Sequence, residues 1–283
     1  MIARNAVGHL KLFVQLVQSK LASWLVGERV QALLVQTPRG IFAVDPKDRG
    51  VGRRLLVDGA YSEVELARLV THVTPDSDVL IVGAHVGAMA IPLAKICRRL
   101  IALEPNPASF GLLKLNVRLN EQGNVELLNL AASDRRGTLE MLLNTANSGG
   151  SKRVPLHDRR IYRYDAPRQV SVPAERLDDL LPDRSFGLIL MDIEGSEYYA
   201  LRGMQGVLAR SRTLAVEFLP HHLRDVAGVT VAQFLEPISP HFDTLTVPSK
   251  NLTVGAPDFA RVLGEMYLRN EGDDSIIFTR GRG

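Results

Sequence analysis

The 283-residue chain is poor in cysteine: Cys97 is the only one, and it lies in an apolar stretch. A single cysteine excludes a disulfide within the chain and a zinc site built from several cysteines. We therefore expect Cys97 to be a small buried side chain and the chain to work in a reducing cytoplasm.

The sequence also lacks a long uninterrupted apolar run. The longest mostly apolar stretch, residues 79–94, is interrupted by His85, two glycines and Pro92. It is shorter than the roughly 20 residues that a membrane-spanning helix needs. No small-residue cleavage site follows a compact apolar stretch near the N-terminus, so a secretory signal is not expected.

A strong excess of charge of one sign is missing as well. The formal net charge is +3, with a sequence pI of about 9.1, and this mild excess does not by itself indicate a nucleic-acid partner. The G-x-S-x-G turn of serine hydrolases is absent. With 46% hydrophobic residues, the composition fits one large α/β domain with an extension, or two small domains.

Apolar side chains recur at helical spacing between residues 7 and 27: Leu10, Phe13, Val14, Val17, Leu21, Trp24 and Leu25. The pattern predicts an amphipathic helix. Three interpretations stay open: the helix packs on its own domain, pairs with a second copy in a homodimer, or lies on an anionic membrane surface. Residues 29–45 then predict a hairpin turning at Pro38-Arg39-Gly40. We predict an extension over residues 1–50 and a main domain over 51–283.

Strand and helix patterns alternate through the main domain. The predicted strands are Val79–Val82, Leu100–Glu104, Val125–Ala131, Phe186–Asp192, Thr213–Phe218, Phe242–Val247 and Ser275–Thr279. This alternation predicts a doubly wound, mostly parallel α/β sheet of seven strands. Residues 144–170 break the pattern and are predicted to form a polar, basic insertion over one end of the sheet.

The first of these strands runs into a glycine-containing turn, Gly83-Ala84-His85-Val86-Gly87. Glycines let the backbone approach a ligand, and the following helix start offers free N–H groups. Glu104 ends the second strand, where a carboxylate accepts both hydroxyls of a ribose in dinucleotide-binding folds. The turn and the acid together predict a nucleoside-containing ligand.

The apolar run that ends at Met191 leads directly into Asp192-Ile193-Glu194-Gly195-Ser196-Glu197. Open α/β sheets bind ligands in the crevice outside the carboxyl ends of their strands, so Asp192 and Glu194 are expected at the site of chemistry. The alternative is a solvated turn rich in acids.

Several motifs follow one another in a fixed order. They are Phe42-Ala43-Val44-Asp45-Pro46 with Asp48 and Gly59, Leu80-Ile81-Val82-Gly83-Ala84-His85-Val86-Gly87, Ile101-Ala102-Leu103-Glu104-Pro105-Asn106-Pro107, Leu115-Asn116 and Leu119-Asn120, Ala131-Ala132-Ser133-Asp134, Leu177-Asp178-Asp179-Leu180, Met191-Asp192-Ile193-Glu194-Gly195-Ser196-Glu197 and Leu201-Arg202-Gly203. In order and register, over roughly residues 42–280, this set resembles the FkbM-type methyltransferases.

The resemblance implies a class I, Rossmann-like fold that uses S-adenosyl-L-methionine for O-methylation. Family members often methylate hydroxyls of polyketides, sugars or other glycosylated metabolites, so a small or glycosylated acceptor is implied. The residues that the resemblance assigns to the cofactor are Gly83, Ala84 and Gly87 beside its methionine part, Glu104 with Pro105 and Asn106 at its ribose, and Ala132 and Ser133 near its adenine.

The chain departs from the family pattern at two positions. The family usually has an acid two residues before the first glycine, where this chain has Ile81, and an Asn where it has His85. Asp192 or backbone carbonyls are candidates to replace the acid, and His85 is either a cofactor contact or a tolerated turn residue. The first alternative function is therefore a noncatalytic relative that binds the cofactor or a partner.

Methylation of an aliphatic hydroxyl requires that its proton be removed during attack. The candidate bases are Asp192, Glu194, Glu197, His221 and His222, and histidine has the pKa best suited to proton transfer near neutrality. Asp192 and Glu194 with a histidine could also hold Mg²⁺, but these ligands are too few to predict a metal site.

The insertion interleaves bases with two tyrosines: Lys152, Arg153, His157, Arg159, Arg160, Tyr162, Arg163, Tyr164 and Arg168. This composition suits a lid over an anionic or sugar-like acceptor, a solvated loop, or a surface for single-stranded RNA. An RNA methyltransferase is thus the second alternative function. The N-P-P-Y tetrad of base-methylating enzymes is absent, which disfavours RNA, and DNA is not expected.

Overall fold

The computed structural model describes residues 29–281 together with 14, 17, 18, 20, 21 and 24–27. The predicted helix over residues 7–27 lies largely outside the described residues. Those of its residues that are described, from Val14 to Val26, are helical. Within this described part of the chain, no helix has the length and apolarity needed to cross a bilayer.

A large mixed sheet forms the centre of the α/β fold. Its strands are β3 (Asp78–Val82), β4 (Arg99–Leu103), β5 (Val125–Leu128), β10 (Leu188–Met191), β11 (Thr213–Phe218), β12 (Thr244–Val247), β13 (Leu252–Gly255) and β14 (Asp273–Thr279). Their order is β13-β12-β14-β11-β10-β3-β4-β5. The adjacent strands from β11 to β5 pair in parallel, and β14 and β13 run against the other six.

The α/β prediction is confirmed, but the predicted number of strands was wrong. All seven predicted strands are present, and β13 is the eighth. Its four residues pair antiparallel with β12 at the edge of the sheet and alternate between half-buried and exposed. So short an edge strand is specified by its partner rather than by its own pattern. The three antiparallel ladders also make the sheet mixed rather than simply parallel.

Helices cover both faces of the sheet, because its strand residues alternate between two apolar cores. The helices are α1 (Val51–Asp58), α2 (Glu63–Val70), α3 (Ala90–Ala94), α4 (Pro107–Leu119), α5 (Leu177–Leu180), α6 (Glu197–Arg202), α7 (Gln205–Arg210), α8 (Val231–Leu235) and α9 (Phe259–Arg269). Leu80 and Val82 of β3 belong to the core under α5–α9, whereas Val79 and Ile81 belong to the core under α1–α4.

The predicted hairpin consists of β1 (Leu33–Thr37) and β2 (Gly40–Val44). Two asparagines of α4 hold it on the domain. The buried Asn116 amide accepts from the Ala43 N–H at 2.6 Å and donates to the Val86 carbonyl at 2.8 Å, and Asn120 bonds both backbone groups of Ile41. Asn116 therefore ties the hairpin to the glycine-containing turn after β3.

A second, four-stranded sheet carries the insertion. It contains β6 (Ala131–Ala132), β7 (Gly137–Leu143), β8 (Lys152–Arg153) and β9 (Arg168–Glu175), in the order β6-β9-β7-β8. Residues 144–170 also contain two short 3-10 turns, Ser148–Gly150 and Arg160–Arg163. The segment that reads as irregular in the sequence is therefore partly regular, because β8 is specified by its pairing with Met141 and Leu142.

Candidate active site

A cavity of about 700 Å³ opens at the carboxyl ends of β3, β4, β10 and β11. Six of the predicted cofactor residues line it: Gly83, Ala84, His85, Glu104, Pro105 and Asp192. The other four do not. Gly87 packs on Leu113, Asn106 caps α4 by accepting from the Ala108 N–H, and Ala132 and Ser133 belong to the second sheet and its margin.

Gly83 brings the turn after β3 against the turn after β10. Its φ is +93°, and a Cβ atom at this position would lie 1.9 Å from the Asp192 carbonyl oxygen. No other residue fits both the backbone conformation and the contact. The close approach places the Asp192 side chain beside the turn that the sequence assigns to the ligand.

Glu104 is held at the cavity wall by two backbone donors. Its carboxylate accepts from the N–H groups of His85 and Asn106, each at 2.8 Å. Burial raises the pKa of Glu104 to about 7, although these two bonds oppose the rise. A carboxylate has about four acceptor positions, so two remain for donors from a ligand.

His85 has a left-handed backbone, with φ +50°. Asparagine, the family's usual residue there, and histidine are among the side chains that adopt this conformation most readily. The His85 Nε2 atom lies 2.7 Å from Ser148 Oγ, whose hydroxyl donates to Asp48 Oδ2 at 2.9 Å. Burial lowers the pKa of His85, and its Nδ1 has no hydrogen-bond partner. From this network we assign the imidazole proton to Nε2, and Nδ1 is then an unused acceptor.

The wall around Ile81 carries acids from other elements. Ile81 itself is 2% exposed. Glu65 of α2, Glu217 of β11 and Asp274 of β14 line the cavity with Asp192. Burial, followed by repulsion from Asp274, raises the pKa of Glu65 to about 7. Sequence reasoning missed Glu65 and Asp274, since each lies in an ordinary helix or strand pattern far from the motifs.

The pKa values of Asp192 and Glu194 shift in opposite directions, although one residue separates them. Solvent reaches Asp192 through the cavity, yet desolvation and then the charges of Glu217 and Glu194 raise its pKa well above the ordinary value. Burial alone would also raise the pKa of Glu194. The positive charge of Lys152, followed by the interaction with His222, outweighs that effect and holds the pKa of Glu194 below the ordinary value. Glu194 has a φ of +55°, a strained backbone conformation for a residue other than glycine.

His222 lies between two carboxylates at the start of a π-helical turn, His222–Ala227. Its Nε2 is 3.3 Å from Glu194 Oε2, and its Nδ1 is 3.2 Å from Glu217 Oε2. Burial lowers the pKa of His222, whereas burial and repulsion from Glu194 raise that of Glu217 well above the ordinary value. The distances and the pKa shifts together are consistent with a protonated Glu217 that donates to Nδ1 and with an Nε2–H that donates to an ionised Glu194.

This cluster is the group of described side chains whose spacing could suit a metal ion. One ligand atom each from Glu194, Glu217 and His222 lie within 4.8 Å of one another. However, the Lys152 ammonium is 3.0 Å from Glu194 Oε2, and both imidazole nitrogens already face carboxylates. The lysine supplies the positive charge that a cation would bring, so we interpret the cluster as a hydrogen-bonded ion-pair network.

A second cavity, of about 200 Å³, lies beyond Glu194. Its polar and aromatic wall includes Asn147, Lys152, Tyr162, Tyr164, His221 and His222. The Tyr162 and His221 rings stack with centroids 6.5 Å apart and planes 8° apart. Burial, then the charge of His222, lowers the pKa of His221 to about 4. Glu194 and Asn147 line both cavities, so the two meet there.

The structure gives two charged residues roles that differ from those expected from the sequence. Glu197 accepts from the N–H groups of Ile193 and Gly195 at 3.0 and 3.2 Å, so it supports the loop from within rather than facing a ligand. Lys152, predicted only as one of several bases in the insertion, is buried against Glu194. No local pattern distinguishes it from its basic neighbours.

A protein-family model matches the part of the chain that forms most of this site. The Methyltransferase FkbM domain matches residues 82–270, and the chain belongs to this family. No curated protein matches it.

Solved structures of methyltransferases are similar to the chain at low identity. A precorrin-6y C5,15-methyltransferase from Geobacter metallireducens is 15% identical over 87% of this chain and 100% of that one, with a TM-score of 0.47. A TehB-like SAM-dependent methyltransferase from Corynebacterium glutamicum is 12% identical over 81% and 94%, with a TM-score of 0.44. A tRNA m1G37 methyltransferase from M. jannaschii is 12% identical over 91% and 59%, also with 0.44. Likenesses this distant carry no argument about substrate.

Proposed function

We propose that this FkbM-family chain is an S-adenosylmethionine-dependent O-methyltransferase that methylates a hydroxyl of a small or glycosylated metabolite. The observation that carries the proposal is the meeting of two cavities at Glu194. Transfer between two bound molecules requires that their reacting atoms meet within about 3 Å in a site from which water is excluded. The larger cavity is assigned to the cofactor and the smaller one to the acceptor.

The residues of the larger cavity fit the cofactor. A volume of about 700 Å³ falls within the usual range for ligand pockets. Glu104 has acceptor positions left for two ribose hydroxyls, and Gly83 leaves room for a close backbone approach. Asp192 and Glu65 are suited to the positive groups of the methionine part, in place of the acid missing at Ile81. When bound, the cofactor supplies an electrophilic methyl group.

Glu194 is the side chain best placed to receive the acceptor's hydroxyl proton. It is ionised, lines both cavities, and is oriented by His222 Nε2–H. Asp192 lines the larger cavity alone, so its role is mainly to bind the cofactor and orient its reacting end. His221 faces the smaller cavity beside Tyr162 and contacts the acceptor in this proposal.

Two observations favour a small acceptor over RNA. Tyr162 is buried rather than displayed as a stacking surface, and three of the insertion's bases are already paired with acids: Lys152 with Glu194, Arg159 with Asp225 and Arg163 with Asp158. The balanced pair of Lys152 and Glu194 also favours a neutral, sugar-like acceptor over an anionic one. We also propose a cytoplasmic location, and this part of the proposal rests on the sequence alone.

Calorimetry with S-adenosylhomocysteine tests the cofactor site. Glu104→Ala should weaken binding by about 1–3 kcal/mol, the range for charge-assisted hydrogen bonds. Glu126→Ala, at an exposed position of β5, is the matched control and should bind like wild type. Failure of folded wild type to bind would contradict the proposal. Cofactor binding without transfer of labelled methyl to any of a panel of purified glycosides and polyketides would favour a noncatalytic relative. Salt-sensitive binding of RNA would favour an RNA methyltransferase.

A further inference from the structure

The insertion places a buried cation in the wall of the smaller cavity. Lys152, in β8, is 6% exposed, and its ammonium donates to the Gly150 carbonyl and lies 3.0 Å from Glu194 Oε2. Ammonium groups are rarely this buried without a partner that requires them. Glu194 is that partner, and it belongs to the loop after β10 rather than to the insertion.

The same insertion is docked on the turn that carries His222. The Arg159 guanidinium is 2.9 Å from Asp225 Oδ1, the Tyr162 hydroxyl donates to Asp225 Oδ2 at 3.3 Å, and the His157 N–H donates to the Asp225 carbonyl at 2.9 Å. Asp225 lies three residues after His222 in the π-helical turn. The segment that carries Lys152 is therefore held by the pairing of β8 with β7 and by contacts between the insertion and the wall of the acceptor cavity.

Without Lys152, the charges around Glu194 would disfavour its ionised form. The charged and titratable groups that face the Glu194–His222 pair come from several elements. They are Lys152 from β8, Asp192 and Glu197 after β10, Glu217 from β11, His221 and Asp225 beside His222, His85 after β3 and Tyr164 of the insertion. Four of these groups are carboxyl groups, and Lys152 is the permanent cation among them. A buried carboxylate beside like charges takes up a proton unless an opposite charge is close.

We propose that Lys152 is a positioning residue that keeps Glu194 ionised and aimed at the acceptor hydroxyl, and that it does so only while residues 144–170 are docked on the turn 222–227. This inference rests on the proposed function. In the step concerned, the hydroxyl proton passes to a Glu194 oxygen while the acceptor oxygen bonds the methyl carbon. The old bond from carbon to sulfur breaks, and its electron pair stays on sulfur. The negative carboxylate and the positive sulfonium are neutralised together, so charge balances.

Carbon NMR of the free protein, with ¹³C-labelled glutamate carboxyl groups, tests the electrostatic part without an acceptor. The Glu194 signal is assigned by its loss in Glu194→Gln. Lys152→Met should move the Glu194 titration to higher pH, because the neighbouring positive charge that stabilises the carboxylate is removed. Lys152→Arg should restore the wild-type titration. Lys114→Met, at an exposed position of α4, should leave it unchanged.

An unchanged Glu194 titration in folded Lys152→Met would overturn the inference and leave the proposed function intact. The proposed function fails instead if wild type does not bind S-adenosylhomocysteine. Tyr162→Phe tests the docking part, because it removes the hydrogen bond that the tyrosine hydroxyl donates to Asp225 without changing the charge of the insertion. It should speed amide exchange over residues 144–170 and shift the Glu194 titration in the same direction by a smaller amount. Faster exchange with no shift of Glu194 would overturn the coupling to the insertion.

Discussion

The two cavities meet at Glu194, but the charges around their carboxyl groups differ. In the larger cavity, no ion pair among the described residues reaches Glu65, Asp192 or Asp274, and the pKa values of the first two are raised. In the smaller cavity, Lys152 and His222 hold Glu194 ionised. Uncompensated acids favour a ligand that brings positive charge, whereas a balanced pair favours a neutral one. The contrast matches a sulfonium cofactor on one side and a neutral hydroxyl on the other.

The largest effect is expected where the cavities meet. Glu194→Gln keeps the shape of the side chain but removes its ability to accept the hydroxyl proton. We expect turnover to fall by at least about 10²-fold, within the usual contribution of a positioned base, with cofactor affinity nearly unchanged. Labelled methyl transfer and calorimetry on the same samples measure the two quantities. A variant with wild-type turnover would move the search for a base to His221.

Asp192→Asn should mainly weaken cofactor binding and should change turnover less. A carboxylate facing a positive ligand typically contributes about 1.5–3 kcal/mol, so affinity for S-adenosylmethionine should fall by about 10- to 100-fold. S-adenosylhomocysteine lacks the sulfonium charge and should lose less affinity. Calorimetry with the two ligands distinguishes charge recognition from a general disturbance of the cavity. Equal losses for both would show that Asp192 does not recognise the sulfonium.

A smaller effect is expected from pH at the ribose end of the larger cavity. The pKa of Glu104 is raised to about 7 in the free protein, so its carboxyl group is largely protonated below that pH. Two hydroxyl donors bind the ionised form better, and affinity should therefore rise with pH. For a pKa near 7, binding at pH 6 should be about 10-fold weaker than at pH 8. Glu104→Gln should bind more weakly at pH 8 and should lose the part of the pH dependence due to Glu104, as S-adenosylhomocysteine titrations would show. The part that remains is due to Glu65, whose pKa is also raised to about 7.

The sequence was most informative about the sheet and the motif turns. Continuous apolar runs such as Leu188–Met191 identify buried parallel strands, and carboxyl-end geometry then places Asp192 and Glu194 at the cavity. Edge strand β13 and the two-residue strand β8 could not be predicted in this way. Both are short, and their conformation depends on partners distant in the chain.

The candidate site was predictable only where its residues lie in the motifs. Glu104 and Gly83 are motif residues, whereas Lys152, Glu65 and Glu217 reach the site from three separate elements. A lysine in a basic insertion or an acid on an amphipathic helix has the same local pattern whether it faces water or a cavity. Only tertiary packing distinguishes the two cases, and the direction of each pKa shift depends on the charges that packing brings together.

The smallest effect on the cofactor is expected at the position that departs from the family. Ile81 is 2% exposed, and Glu65, Asp192 and Glu217 already line the cavity beside it. A carboxyl group introduced there lacks a cationic partner, is repelled by its neighbours and takes up a proton. We therefore expect Ile81→Asp to change cofactor affinity by less than about 3-fold and to lower the free energy of unfolding by about 1–3 kcal/mol. Ile81→Asn, of the same size without a titrating group, is the control. Calorimetry and chemical denaturation measure both quantities, and binding tightened 10-fold or more by the aspartate alone would show that the neighbouring acids do not replace the family's acid.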